Sequence, residues 1–483
     1  MKICMVSSES VPFSKSGGLA DVVGALSSAL SSLGEEVLVL LPHYGFMKDE
    51  LTQTTITHTV SLLGSAEEVT YAKTTKDGVE YYFLQHPFFS ESTGIYGSTS
   101  SSAYENNHLR YTLQSKAALE LLKILGWKAD IIHAHDWTAG FLPYLLKKDT
   151  SGFFKKTKSV FSIHNLAYQG EFSRLDLLAT DIDADERFFV GSGPTKRANM
   201  LKCGLEFADT LSTVSPTYAK EIQSPEYGCG LEKLLQSRKD DLIGIINGID
   251  VEEWNPENDP LIDYAFSATD FSNKALLKRQ IQEEFGLEVN PDIPLFAMIS
   301  RLASQKGFIE LLEGSPSALE QLVNEERMQM VIVGTGDWEI EKQLTEVGKR
   351  FENLSVNILF SNRAAHLLEA GSDFFLMPSR YEPCGLNQFY SLRYGTLPVA
   401  RRTGGLADSI VDLDEEPERG TGILFDSMSG HGILEAVRRA LTWWQKGRTV
   451  LEPIQQRAMA YDSSWQRSAT SYQELYRATK GGV

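Results

Sequence analysis

Cysteine is scarce: Cys4, Cys203, Cys229 and Cys384 are scattered through 483 residues. No CxxC pair points to zinc, and no dense spacing points to a disulfide framework, so a reducing compartment is the simplest reading. Long apolar runs are missing as well. No stretch approaches the roughly 18 residues of a membrane span. The opening MKICMVSSESVPF has too short an apolar run for a signal peptide and no small-residue cleavage site. These absences lead to the expectation of a cytoplasmic protein. Positive charge is in deficit, with 46 Lys and Arg against 64 Asp and Glu and a formal net charge of −18. Such a field repels nucleic acid and anionic membrane, so neither is expected as a partner. A small anionic substrate needs local cations. Low-complexity segments and tandem repeats are also absent.

What is present describes a globular protein of more than one core, since 483 residues favour two or three domains. Short apolar runs alternate with helical patterns. KICMVSSE, EVLVLLP, ADIIHAHD, KSVFSIHN and DTLSTVS read as buried strands. Leu19, Val22, Val23, Leu26, Leu30 and Leu33 mark one face of a helix. From about residue 290 the pattern restarts with PLFAMISRL, MQMVIVGTGD, NILFSN, SDFFLMPSR and TLPVARR. The expected class is α/β, with two doubly wound parallel-sheet domains. The link is expected in the turn-rich stretch IINGIDVEEWNPENDP, 245–260. The last stretch, SSWQRSATSYQELYRAT, reads as an amphipathic helix.

GGLAD occurs twice, at 17–21 and 404–408. In open α/β sheets ligands bind where strands lead into helices. Gly17-Gly18 and Gly404-Gly405 would let backbone approach a ligand, and the N–H groups that follow favour an anion. Lys15 precedes the first copy; Arg401 and Arg402 precede the second. Two tight turns without a ligand is the competing reading. ISRLASQKG places Arg301 and Lys306 after a strand, a fork and a point charge suited to a diphosphate, or else a solvated loop. PSRYEPCGLNQF puts Glu382 at a strand's carboxyl end, before the N–H groups of Gly385, Leu386 and Asn387. That carboxylate would accept from sugar hydroxyls or tie down its own turn. Cys384 reads as a packing residue, because nothing marks a base beside it.

HAHDW puts His133 and His135 on one side of a strand, and His164 follows in SIHN. A metal-dependent hydrolase of the HxH type is therefore a second class, although eight βα units are not apparent. VIVGTGD lacks the third glycine of a dinucleotide fingerprint. The Asp-x-Asp pairs of DIDAD (181–185) and VDLD (411–414) read as solvated carboxylates.

KSGGLAD, HAHDW, SIHN, VSPTYAKEI, NGID, SRLASQKG, GTGD, SRYEPCGLNQ and RRTGGLADS occur in this order, across essentially the whole chain. The set closely resembles the bacterial glycogen synthase and plant starch synthase family, glycosyltransferase family 5. The resemblance implies a GT-B fold, with two Rossmann-like domains and an active site in the cleft between them. It implies an acceptor-side domain of residues 1–247, completed by a C-terminal helix of about 462–483, and a nucleotide-sugar domain of 248–461. The implied reaction is retaining transfer of glucose from ADP-glucose, or alternatively UDP-glucose, to the nonreducing end of glycogen or a maltooligosaccharide, without metal or cofactor.

Residue by residue, the resemblance assigns catalysis to Lys15, His164, Arg301, Lys306 and Glu382. It assigns the donor to those cations and Glu382 together with Gly17, Gly18, Asp21, Asn247, Gly336, Phe360, Cys384, Gly385, Leu386, Gly404 and Gly405. It assigns the acceptor to Tyr96, Asp136 and Trp137. Thr138, Phe360, Asn387 and the segment 104–111 depart from the family's pattern, which leaves base preference and glucan length open. A catalytically silent glucan-binding protein is a third class.

Overall fold

The computed structural model describes residues 1–99 and 102–481. The chain divides into two compact units. One comprises Met1–Asn247 with the segment that begins at Trp465; the other is Gly248–Ser464.

The first unit carries β1 (Lys2–Val6), β2 (Glu36–Pro42), β3 (Thr52–Leu62), β4 (Ser65–Lys76), β5 (Val79–Gln85), β6 (Ile131–His135) and β7 (Lys158–Ile163). β8 (Glu171–Ser173), β9 (Phe189–Val190) and β10 (Arg197–Asn199) form a small separate sheet, and β11 (Thr210–Thr213) and β12 (Leu242–Gly244) follow. The large sheet runs β12-β11-β7-β6-β1-β2-β5-β4-β3. From β12 to β5 all pairings are parallel. The chain then adds the antiparallel ribbon of β3 and β4 to β5. The alternating strand-and-helix reading did not contain this ribbon. Its outer strand is TQTTITHTVSL, mostly exposed, and Thr and His at alternate positions do not make a buried-strand signal.

The second unit carries β13 (Leu295–Ile299), β14 (Gln329–Gly334), β15 (Leu354–Ile358), β16 (Phe374–Met377), β17 (Leu397–Arg401) and β18 (Ile423–Phe425). Its order, β15-β14-β13-β16-β17-β18, is the doubly wound order 3-2-1-4-5-6, and every pairing is parallel. Alternate residues of each strand enter opposite cores. Phe296, Met298, Met330, Ile332, Phe374 and Leu376 face one layer; Leu295, Ala297, Val331, Val333, Phe375 and Met377 face the other. Both faces being apolar explains why these strands read as continuous hydrophobic runs.

One local boundary needs correction. NILFSN holds only the end of a strand: β15 is Leu354–Ile358, and Ser361 caps the helix Asn362–Gly371 by accepting from the Ala364 N–H at 3.1 Å. The expected link, 245–260, contains the boundary between the units and is packed in place. Trp254 is stacked between His366 and Tyr390, with ring centroids 3.8 and 3.6 Å away, and the buried Asp259 accepts from Tyr394 Oη at 2.6 Å. The helix Trp465–Gly481 packs Trp465, Ala469, Tyr472, Leu475 and Tyr476 into the first unit's core, beside Ile3, Met5, Val37 and Ile131. Among the described residues no helix is long and apolar enough to cross a membrane.

Candidate active site

Among the parallel strands of each large sheet the order turns at one point: between β1 and β6 in the first unit, and between β13 and β16 in the second. Loops leaving neighbouring strands there diverge and open a crevice at the strands' carboxyl ends. The loop after β1 carries Lys15, Gly17 and Gly18, and the turn after β6 carries Asp136 and Trp137. The loop after β13 carries Arg301 and Lys306, and the turn after β16 carries Glu382. Four of the sequence motifs therefore sit at the two switch points. SIHN follows the next strand, β7; GTGD and Phe360 follow β14 and β15.

In the first unit Lys15 Nζ meets Asp21 Oδ1 at 2.7 Å, so both are already paired at the head of the helix Gly18–Ser32. A Cβ at Gly17 or Gly18 would meet nothing within 4 Å. The fold itself therefore does not require glycine there. The loop is held by Glu9, which sequence reasoning missed. Only 2% exposed, Glu9 accepts from the Ser16 N–H, from Ser16 Oγ at 3.0 Å and from Tyr96 Oη at 2.9 Å. Burial raises its carboxyl pKa, against these bonds and one from the Gly17 N–H. Its only signal was an acidic residue, SSES, immediately after a strand. Tyr96 lies 5.9 Å, centroid to centroid, from Trp137. Its loop is anchored by Arg110, a buried cation that donates to the Ile95 carbonyl at 2.8 Å and lies over the Tyr104 ring.

Asp136 closes β6 with φ 56° and ψ −175°, a region that residues other than glycine rarely enter. Its Oδ1 accepts the His164 N–H at 2.8 Å, which ties the ends of β6 and β7 together. Burial pushes the Asp136 carboxyl up to about 7, opposed by N–H donation from His164 and Asn165. His164 Nε2 lies 3.0 Å from His135 Nδ1, and burial lowers the His164 pKa to about 3, so the ring is neutral. Asn247, at the end of this unit, is buried with Oδ1 unpartnered.

In the second unit Lys306 Nζ lies 2.5 Å from Glu382 Oε2, which also accepts from Ser379 Oγ at 2.9 Å. Glu382 Oε1 has no partner among the described residues, and the exposed Arg301 guanidinium has none either. The two loops are laced together, since the Arg380 N–H donates to the Gln305 carbonyl at 2.8 Å. Gly307 (φ +81°) lets the Lys306 turn pass under Pro378, where a Cβ would stand 1.9 Å from the Pro378 oxygen. Cys384 is buried, and its carbonyl accepts from Gln388 Nε2 at 2.9 Å. Gly385 (φ +73°) and Leu386 precede the helix Asn387–Arg393. Phe360 is 87% exposed.

Three expectations are corrected here. The two GGLAD copies are not equivalent. The second has no free run of amides, because the Gly405 N–H donates to the Glu382 and Pro383 carbonyls, and those of Leu406 and Ala407 donate to Thr403. A Cβ on Gly404 would stand 1.9 Å from the Glu382 oxygen, and on Gly405 2.1 Å from that of Cys384. This pair supports the Glu382 loop. Gly336 is similar: its N–H goes to Glu341 at 2.7 Å, and a Cβ would stand 2.3 Å from the Leu302 oxygen. Second, the HxH pair is not a ligand set. His133 has both nitrogens engaged, Nδ1 with Tyr476 Oη at 2.8 Å and Nε2 with Ser162 Oγ at 2.6 Å. Third, Asp412 of VDLD is not solvated. It is buried and bridged by Arg439 at 2.9 Å.

Comparison with known proteins bears on the whole chain. The family model described as Starch synthase catalytic domain matches residues 2–237, and that for Glycosyl transferases group 1 matches 280–452. The glycogen synthase of Treponema denticola is 40% identical over 483 residues, covering 99% of this chain and 98% of its own. That of Anaeromyxobacter sp. is 43% identical over 482 residues, covering 99% of each. Among solved structures, the catalytic domain of starch synthase IV from Arabidopsis thaliana, bound to ADP and acarbose, is 31% identical with a TM-score of 0.88 over 99% of both chains. Sucrose-phosphate synthase from Thermosynechococcus elongatus, at 16% identity and a TM-score of 0.60 over the full length of both chains, shares the fold alone. With the family models, the full-length relatives and the geometry in agreement, the chain belongs to the glycogen synthase and starch synthase family, glucosyltransferases of the GT-B fold.

Proposed function

We propose that this enzyme transfers glucose from ADP-glucose to the nonreducing end of an α-1,4-glucan, glycogen or a maltooligosaccharide, with retention of configuration. Breaking the glucosyl–phosphate bond leaves negative charge on the diphosphate and develops positive charge at the anomeric carbon. Cations stabilise the step most where the leaving charge accumulates. Arg301 and Lys306 take that role, with Lys15 adding a third cation and the Gly17 and Gly18 backbone giving unobstructed approach. Glu382 accepts from the glucosyl hydroxyls through Oε1. Gly385, Leu386 and Cys384 shape the sugar side of that turn, and Gly404 and Gly405 hold it up. His164 faces the sugar, Asn247 flanks it, and Asp21 releases Lys15 on binding. Tyr96, Asp136 and Trp137 meet the acceptor. The acceptor hydroxyl attacks from the face the diphosphate leaves, and a diphosphate oxygen takes its proton.

The observation that carries the reading is the Lys306–Glu382 couple with one carboxylate oxygen open, and the unpaired Arg301 on the same loop as Lys306, in a loop pair at a switch point. ADP is favoured by the ADP-bound starch synthase IV at 31% identity. Phe360 supplies a ring for the base without a hydroxyl, with the GTGD turn of Gly336 next to it in strand order, so UDP-glucose is the runner-up donor. The same reading places the enzyme in the cytoplasm, where its four cysteines, none of them in a disulfide, stay reduced. Nucleotide release with glycogen, measured side by side for ADP-glucose and UDP-glucose with EDTA present, tests it. Faster ADP release supports the assignment; faster UDP release reverses the donor; no release from either removes it.

A further inference from the structure

The proposed chemistry uses His164 but leaves the cluster behind it without a role. In the first unit three imidazoles and a tyrosine are buried together. Tyr476, on the helix Trp465–Gly481, meets His133 Nδ1 at 2.8 Å; His133 Nε2 meets Ser162 Oγ at 2.6 Å, and Ser162 meets Ser212 at 2.5 Å. Anchored at both nitrogens, His133 packs its ring 4.0 Å, centroid to centroid, from that of His135. His135 in turn presents Nδ1 to His164 Nε2 at 3.0 Å. His135 Nε2 is buried with no partner.

That unpartnered atom decides which ring donates. Burial lowers the pKa of both rings, so each carries one proton. If His164 Nε2–H donated, neutral His135 would carry its proton on Nε2, as a buried N–H with no acceptor. If His135 Nδ1–H donates, only a lone pair is left empty. Stranding a buried donor is the more costly alternative. The second arrangement puts the His164 proton on Nδ1, the nitrogen that faces away from His135.

We propose that His135 is a positioning residue that fixes His164 as its Nδ1–H tautomer, so that His164 offers the transferred sugar a hydrogen-bond donor rather than an acceptor. The inference rests on the reading of His164 as the sugar-side histidine. His133, clamped by the C-terminal helix and Ser162, keeps the His135 ring from turning. His164 touches the substrate; His135 acts through it.

The test uses the full chain with ¹⁵N-labelled histidine. Two-bond proton–nitrogen spectra report the tautomer, and His164→Gln assigns the His164 signals among nine histidines. The expected spectrum shows His164 protonated at Nδ1. In His135→Phe, which keeps a ring against His133 but removes the donor, His164 is expected to change tautomer and kcat to fall about 10- to 100-fold, the range for losing a group that orients a functional histidine. His135→Asn carries an amide N–H where Nδ1 stood, and is expected to restore both tautomer and kcat to within a few-fold. An Nε2–H His164 in the wild type overturns the proposal, as does wild-type turnover in His135→Phe. If His135→Phe does not fold, the wild-type and His135→Asn spectra still decide. The tautomer is read without substrate, so a failure of the glucosyltransferase reading shows separately, as absent nucleotide release by the wild type.

Discussion

Replacing Asp136 by Asn should stabilise the protein at alkaline pH while disabling it. The native carboxyl is raised from 3.8 to about 7 by burial. A folded-state pKa above the unfolded one means the native state holds the extra proton between about pH 4 and pH 7. The stability from this group is complete below pH 4 and is lost as pH rises through 7. At about 1.4 kcal/mol per pKa unit, the shift of roughly three units corresponds to about 4 kcal/mol lost by pH 8, of which roughly 1.5–2 is already gone at pH 5. Asn keeps an oxygen for the His164 N–H and has no charge to bury. The stability difference, Asn variant minus wild type, should widen by about 2–3 kcal/mol from pH 5 to pH 8. In a unit of this size that is roughly 5–10 °C in the melting midpoint. Calorimetry at the two pH values, with nucleotide release measured in parallel, makes the comparison. The backbone strain at φ 56° is common to both proteins and cancels. A gap that stays constant with pH, or narrows, refutes the reasoning.

The remaining predictions address the loops. Lys15→Ala and Lys306→Ala should each cut kcat about 100-fold, near 3 kcal/mol of transition-state stabilisation, with unchanged far-ultraviolet circular dichroism; near-normal rates in both would defeat the diphosphate assignment. Glu9→Gln removes a charged acceptor from Ser16 and Tyr96, at about 1.5–3 kcal/mol per bond to a charged group. It should lower both the melting midpoint and kcat, and a variant with native values of both would remove Glu9 from the site. Phe360→Ala, at an 87% exposed position, should leave stability within about 0.5 kcal/mol and raise the donor KM about tenfold, as expected for loss of base stacking. Gly17→Ala should fold normally and turn over poorly, whereas Gly404→Ala should lower the melting midpoint, because its Cβ would strike the Glu382 carbonyl.

The parallel cores were legible because strands covered on both faces must read as apolar runs, as in LFAMI and QMVIVG. The β3–β4 ribbon was not, because one side faces water and Thr-rich alternation carries little apolar signal. The spacing of Arg301 and Lys306 was legible, but spacing alone left a solvated loop open as the other reading. Glu9 did not: it acts through bonds to Ser16, seven residues on, and to Tyr96, eighty-seven residues on, and no periodicity encodes either. His135 was visible, but its partners come from β7 and, through His133, from the last helix, so HxH read as a ligand pair rather than as one link of a buried chain. Asp412 was misjudged for the same reason, since its partner Arg439 lies twenty-seven residues away.

The repeated GGLAD shows where reading by likeness stops and reading by contact begins. Identical letters after a strand and before a helix invite one explanation for both copies. The contacts divide them. At Gly404 and Gly405 the missing side chains are accounted for within the fold, because the Glu382 turn passes so close that any Cβ collides with its backbone. At Gly17 and Gly18 nothing lies within reach of a Cβ, yet the loop is fixed by a buried carboxylate that accepts from its amides. Ordering a loop restricts its conformational freedom, and leaving it bare next to the residue that Glu9 holds adds no packing in return. A loop both held and bare is shaped for something the fold does not contain. A bulky anion beside Lys15 is the ligand proposed for it, whereas the second copy fixes the turn that carries Glu382.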